Sequence, residues 1–229
     1  MRILAAIAIA AMIAFAEEKP VTAKGNQAES LRYNVNWPSG LSLGEGSLTG
    51  TPSAGGWSYA FQVEAAIPGF VLAEAAKSQV DPSQCSVELV KTATRGKRKV
   101  EETTRFDSKK LSATRETKGG GKTELSTAPC AKDALAFLYH LRKELAAGRL
   151  PMSQKVYYGA PYQVRAQYIG TQTIRLGGES VEADKVAATI KGPVAEITVD
   201  FFFSKDAART PVLVQVPLAL GTFSLEIAR

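Results

Sequence analysis

The residue types that most often carry chemistry are scarce in this chain, which has one histidine, His140, and two cysteines, Cys85 and Cys130. A lone imidazole supplies neither a multi-histidine metal site nor a Ser-His-Asp triad without unusual partners. His140 also falls one step off the stripe Ala134, Leu138, Leu141, which reads as a boundary side chain. The even cysteine count points to one Cys85–Cys130 disulfide if the chain is exported, with two free buried thiols as the alternative. Bridged sulfurs are neither nucleophiles nor thiolate ligands. Glu101 and Glu102 are neighbours in a strand-like segment, so their carboxylates leave opposite faces and make no dyad. Gly119-Gly120-Gly121-Lys122 lacks the spacing of a phosphate loop and no helix follows it directly, so it reads as a hairpin connection. No catalytic residue, metal site or cofactor is assigned, and a non-enzymatic protein is expected.

Binding chemistry is better represented. Between Lys91 and Lys122 stand eleven basic and four acidic residues, with Arg95, Lys97, Arg98, Lys99, Lys109 and Lys110 at their centre. A face of that kind suits an anionic envelope component, a polysaccharide or lipid head groups. Nucleic acid is disfavoured, because Phe106 is the only aromatic residue in the stretch on which a base could stack. A solvated face that protects a sheet edge is the plainer reading. Phe201-Phe202-Phe203 breaks strand alternation, so one ring points opposite to the other two. Phe201 and Phe203, with Phe61, Val63, Phe137, Leu138 and Leu141, mark a candidate apolar pocket; a well-filled core is the alternative. Asp206 and Arg209 flank the turn before Pro211, placed for a local ion pair or for a functional rim.

The elements that must position these groups begin after a leader. Met1-Arg2, the apolar run Ile3 to Ile13 and Ala14-Phe15-Ala16 have the layout of a secretory signal peptide, cut after Ala16. The run is shorter than the roughly 20 residues a membrane span takes, so no transmembrane segment is expected after cleavage. Residues 17–28 are a polar, flexible lead-in, and residues 29–229 read as one domain. The expected location is the periplasm, with secretion as the alternative. The full chain has 229 residues, 45% hydrophobic and 22% charged, with a formal charge of +6, and is long enough for one sizeable core.

Most of the domain alternates apolar and polar residues with a period of two, as half-buried strands do. Leu31, Tyr33, Val35 and Trp37 form the first such run, and Trp57, Tyr59, Phe61, Val63 and Ala65 the clearest. The segment from Gly69 to Val80 is ambiguous between strand and short helix. Val87 to Thr123 reads as a meander. Strands resume after residue 151 at 156–158, 162–169, 173–176, 179–190, 195–204, 212–216 and 222–227. Only Pro129 to Pro151 reads as helix: Ser126 or Thr127 is placed to cap it, Pro129 suits its first turn, and Gly148 and Pro151 mark its stop. The expected fold is mainly β (α+β), a curved antiparallel sheet or incomplete barrel wrapped around one central helix.

Three stretches carry a resemblance: Glu29 to Trp37 with Tyr33 at its centre, Asp133 to Arg142 followed by Gly148, and Phe203 to Val212 with Asp206, Arg209 and Pro211. In their order and spacing the chain resembles the bacterial domain-of-unknown-function family 3108, exported proteins of the cell envelope. That family is similar in fold to the periplasmic lipoprotein carriers. The resemblance implies an incomplete barrel with an apolar cavity under the helix, holding a lipid or a lipoprotein acyl chain. It transfers no catalytic residues, and Tyr33, Asp133, Arg142, Asp206, Arg209 and Pro211 enter as structural motif positions.

Overall fold

A computed structural model describes residues 28–67, 70–219 and 221–228. The expected signal peptide and residues 17–27 of the lead-in lie outside them. The first half of the chain is a meander of eight strands: β1 (Glu29–Asn36), β2 (Ser42–Ser53), β3 (Gly56–Ile67), β4 (Phe70–Val80), β5 (Ser86–Arg95), β6 (Arg98–Asp107), β7 (Ser112–Thr117) and β8 (Lys122–Ser126). The second half opens with the two-residue β9 (Lys132–Asp133) and the helix α1 (Ala134–Ala146). It continues through β10 (Gln154–Tyr157), β11 (Pro161–Leu176), β12 (Glu179–Lys191), β13 (Glu196–Ser204), β14 (Pro211–Leu218) and β15 (Gly221–Ile227).

Among the described residues these strands make one fifteen-stranded sheet, ordered from β8 back to β1, then from β15 back to β9. The two halves join where β1 pairs with β15, Tyr33 opposite Ile227. Strands β8 and β9 form the free edges, so the sheet is open. All pairings are antiparallel except β9 with β10. Among the described residues, the mainly β class, the curved sheet and the single helix match the expectation from the sequence.

Alternation explains most strands. In β1, Tyr33 and Val35 are buried while Arg32 and Asn34 face solvent, the side-chain period of a strand with one wet face. The ambiguous segment settles as β4. Leu72 to Lys77 has helical propensity, yet β4 is paired along both edges, with β3 and β5, and that pairing overrides it. Two expected strands, 162–169 and 173–176, are one sixteen-residue strand, β11, that crosses a register shift between Tyr168 and Gly170. Gly170, at φ +133°, allows the chain to continue through this bulge.

The helix is shorter than the sequence implies and starts later. Its N-cap is Asp133, not Ser126 or Thr127, and Pro129 precedes it. Lys132 and Asp133 first pair with Val156 and Tyr157, which holds the chain extended up to the cap. Gly148 does end the helix, at φ +71°: its N–H donates to the Leu145 carbonyl at 3.0 Å and Arg149 N–H to that of Glu144 at 2.9 Å, a Schellman closure.

The triple phenylalanine resolves into two cores. Phe201 and Phe203 face the helix, stacked with centroids 6.0 Å apart. Phe202 faces away and packs with Leu176, Ala183, Val212 and Leu213, covered by the far end of the long β11–β12 hairpin.

Candidate functional site

One side of α1 is fastened by oriented polar contacts. Asp133, with no solvent exposure, accepts hydrogen bonds on Oδ1 from Leu135 and Ala136 N–H at 2.9 and 3.0 Å. Its Oδ2 accepts from the hydroxyls of Ser78 and Ser86, both at 2.6 Å. Burial pushes this carboxyl up, and the four donors oppose the shift. Nine residues further on, Arg142 donates through both Nη atoms to the two oxygens of Glu29 at 2.6 Å. Its Nε donates to the carbonyls of Ala208 and Arg209 at 3.1 Å. Between these anchors the ring of Tyr139 stacks on Tyr59 at 3.8 Å. Gly50 makes room for it, since a Cβ there would lie 2.9 Å from the Tyr139 hydroxyl.

The side chains or carbonyls of Tyr33, Asp133, Arg142 and Pro211 therefore converge on the helix and its seat, as does the Arg209 carbonyl. Tyr33 donates to the Pro211 carbonyl at 2.8 Å, next to the turn that receives Arg142. The side chains of Asp206 and Arg209 behave differently from expectation. Arg209 does not pair with Asp206: its guanidinium goes to Asp184 at 2.5 Å, and only its backbone N–H reaches the Asp206 carbonyl. Asp184 also accepts from Thr171 and Tyr168, and this competing acceptor lies 25 positions from Arg209 in sequence. Cys85 and Cys130 form a disulfide with Cα atoms 4.8 Å apart. It lies three residues before the N-cap, so it ties the approach to the helix rather than its first turn.

The other side of α1 borders a cavity of about 220 Å³. Ala134, Phe137, Leu138 and Leu141 form its helical wall; Val156, Val164, Ala188, Ile190 and Phe201 face them from β10–β13; Tyr158 and Tyr162 complete the lining. Of the seven residues read as an apolar pocket, the fold brings Phe137, Leu138, Leu141 and Phe201 to this wall. Phe203 lies behind it, packed with Leu145 and Val186. Phe61 is on the fastened side, among Tyr33, Leu48 and Tyr59, and Val63 pairs further along β3, opposite Gly46 and Glu74. The two were misplaced because a strand pattern gives a face and not a position around a curved sheet.

A polar cluster that the sequence reading missed lies behind Tyr158. Its hydroxyl donates to Glu74, and Lys91 Nζ sits 4.8 Å from its ring centroid. Lys91 pairs with Glu102 at 2.8 Å, both nearly buried, and Arg115 donates to the Gly159 carbonyl. The signal was the period of two: Glu74 and Ala76 share a parity, as do Leu89 and Lys91, so these charges point inward. Glu101 points out, and Lys118 and Lys99 hold its carboxyl down to about 2, so the adjacent pair is split across the sheet as expected.

The basic face is not one face. Arg95, Lys97, Arg98 and Lys99 surround the β5–β6 turn, whereas Lys109 and Lys110 sit in the β6–β7 turn at the opposite end of the same strand. Ten residues of extended chain separate the two turns, more than 30 Å. Several cations are also neutralised, Arg105 by Glu88 and Glu116, Lys110 by Asp107 and Lys122 by Glu116. A broader groove of about 590 Å³ near Asp107 and Lys109 is lined by these same paired charges. His140 is half-buried, and burial holds its imidazole below the usual range.

An open, curved sheet with one helix against it defines a barrel-like class of fold. A solved structure in that class, a β-barrel-like protein of the domain of unknown function DUF1849 from Brucella abortus, aligns with a TM-score of 0.61 at 8% identity. The alignment covers 87% of this chain and 95% of that one. The chain itself belongs to the family of proteins of unknown function DUF3108, whose model matches residues 32–228. No curated protein matches it.

Proposed function

We propose that this is an exported, non-enzymatic protein of the cell envelope that holds one apolar chain or ring between α1 and β10–β13, in the manner of a lipoprotein carrier. The observation that carries the reading is the cavity: about 220 Å³ walled by aliphatic and aromatic side chains in a domain whose remaining helix contacts are closely packed. Cavities of about 150 Å³ with such walls stay dry and take up benzene-sized ligands, so this one has room for a short apolar segment. The leader-like residues 1–16 and the Cys85–Cys130 bridge favour an oxidising compartment outside the cytoplasm.

The test is ligand retention. Protein stripped of lipid and then exposed to decanoic acid, tetradecanoic acid or an envelope lipid extract should retain added mass in native mass spectrometry. Ala188 is buried on the cavity wall, so Ala188→Leu should narrow the space and reduce retention while leaving the fold intact. No retained mass for the natural sequence, or equal retention by the variant, rules the reading out.

A further inference from the structure

The two ends of the sheet are unlike. One is occupied by the helix, because Arg142 and Tyr139 bond to Glu29 at the start of β1, and Arg142 also to the β13–β14 turn. Turns on that end are small or polar at their tips: Ala54-Gly55, Gly177-Gly178, Asp206-Ala207-Ala208 and Lys109-Lys110, with Leu111 the exception at 45% exposure. The opposite end carries the β1–β2, β12–β13 and β14–β15 turns. Each presents a large aliphatic side chain to water: Leu41 at 66%, Val194 at 97% and Leu218 at 53% exposure.

Those three turns follow one another in strand order around the rim. β14–β15 lies beside β1–β2, since β1 pairs with β15 and Gly221 is so close to Pro38 that a Cβ would meet its ring at 2.7 Å. β12–β13 comes next in strand order, although β13 and β14 are paired only as far as Asp200 opposite Gln215. Single exposed aliphatics are ordinary on a protein surface. Three on one end, each more than half exposed, against Leu111 at 45% and Val87 at 48% on the other and Met152 in the loop before β10, are a pattern.

Further round the same end is the β5–β6 turn with Arg95, Lys97, Arg98 and Lys99. Arg95 reaches Glu74 at 3.8 Å and Lys99 pairs with Glu101 at 2.9 Å, whereas Lys97 and Arg98 take part in no ion pair among the described residues. Aliphatic tips on the same end as the unpaired Lys97 and Arg98, with the β3–β4 turn between them, match one kind of surface, an apolar layer under a sheet of negative charge.

We propose that this end of the molecule docks on an anionic lipid bilayer, with Leu41, Val194 and Leu218 entering the acyl layer and Lys97 and Arg98 meeting the head groups. The inference goes beyond ligand binding and stands without it. One consequence would link the two: Ile190 and Tyr162, which wall the cavity, lie next to the β12–β13 turn, where Gly192 sits against the Tyr162 ring, so docking brings that end of the cavity toward the membrane.

Flotation with vesicles containing phosphatidylglycerol, compared with phosphatidylcholine alone, tests it. The protein should float with the anionic vesicles and lose binding as salt is raised. Lys97→Glu with Arg98→Glu should weaken binding by about tenfold or more, as should Leu41→Ser, Val194→Ser and Leu218→Ser together. Lys109→Glu with Lys110→Glu, on the helix end, should leave it unchanged, and so should Ala188→Leu, which reports only on the cavity. All these side chains are exposed, and unaltered thermal melting shows the fold is kept. Absence of binding to anionic vesicles, or equal loss from the Lys109/Lys110 variant, would overturn the docking proposal without touching the cavity.

Discussion

The two sides of α1 are held by different physics. Toward β1–β5 the contacts are directional: a buried carboxylate with four donors, a two-pronged arginine–glutamate pair and stacked tyrosine rings, each with one good geometry. Toward β10–β13 they are aliphatic and aromatic surfaces that leave about 220 Å³ unfilled. Hydrophobic contacts are non-directional, so a gap there can be occupied and vacated without breaking a specific bond. A helix fixed on one side can keep such a gap open on the other, where an unanchored helix would settle into it.

The fastened side should break first and most severely. Asp133→Ala removes the N-cap, worth about 1 kcal/mol, and leaves buried hydroxyl and amide donors without an acceptor, at about 1–3 kcal/mol each. A loss of about 4–5 kcal/mol is expected in urea denaturation. A loss below about 1 kcal/mol would mean the cap and its serines are not what orients the helix. Next comes the covalent tie. Replacing Cys85 and Cys130 with serine releases a loop of 45 residues, about 4 kcal/mol on the chain-entropy model, and the same change should follow from adding reductant to the natural protein.

Alkali attacks the same side more gently. Burial pushes the Tyr59 hydroxyl from 10.0 up to about 12, and Tyr33 and Tyr139 are raised for the same first reason. The folded protein therefore favours the protonated phenols. Their contribution is complete below pH 10 and is lost as pH rises from 10 toward 12, at no more than about 1.4 kcal/mol per group per pH unit. Melting followed between pH 8 and 11 should show that decline, and Tyr59→Phe should make it shallower by one group's share. Phenolate absorbance that appears in the folded protein well before unfolding would show these rings to be accessible.

The comparison also marks where sequence is informative. Alternation placed nearly every strand, because each reports its own wet and dry faces within ten residues. The Phe201–Phe203 run correctly implied one ring opposite to the other two. What stayed hidden was long-range. Glu29 meets Arg142 across 113 positions, Asp184 takes Arg209 from its local partner, and β4 overrides its helical composition through neighbours on both edges. The cavity was half legible for the same reason. Helical spacing put Phe137, Leu138 and Leu141 on one stripe, yet only the curvature of the sheet decides that Phe201 reaches that stripe and Phe61 does not. Lys97 and Lys109 looked like one patch because sequence distance is short where the hairpin is long.

The smallest effect is also the most discriminating. Ala136 and Ala188 are both buried, at 0% and 2% exposure, one on the helix among the packed residues of the fastened side, the other on the cavity wall. Leucine adds the same volume at either place. At Ala136 it must displace neighbours at native packing density, and overpacking of that kind costs about 1–3 kcal/mol. At Ala188 it enters existing space, so the urea midpoint should shift by less than about 1 kcal/mol in either direction, the gain in contact offsetting any rotamer strain. Equal losses at the two sites would make the gap too small or too rigid to matter, and the asymmetry of the helix would be one of chemistry alone. Unequal losses in the expected order would show that the space beside Phe137 and Leu141 is kept open at no cost to the rest of the fold, which a site that must fill and empty requires.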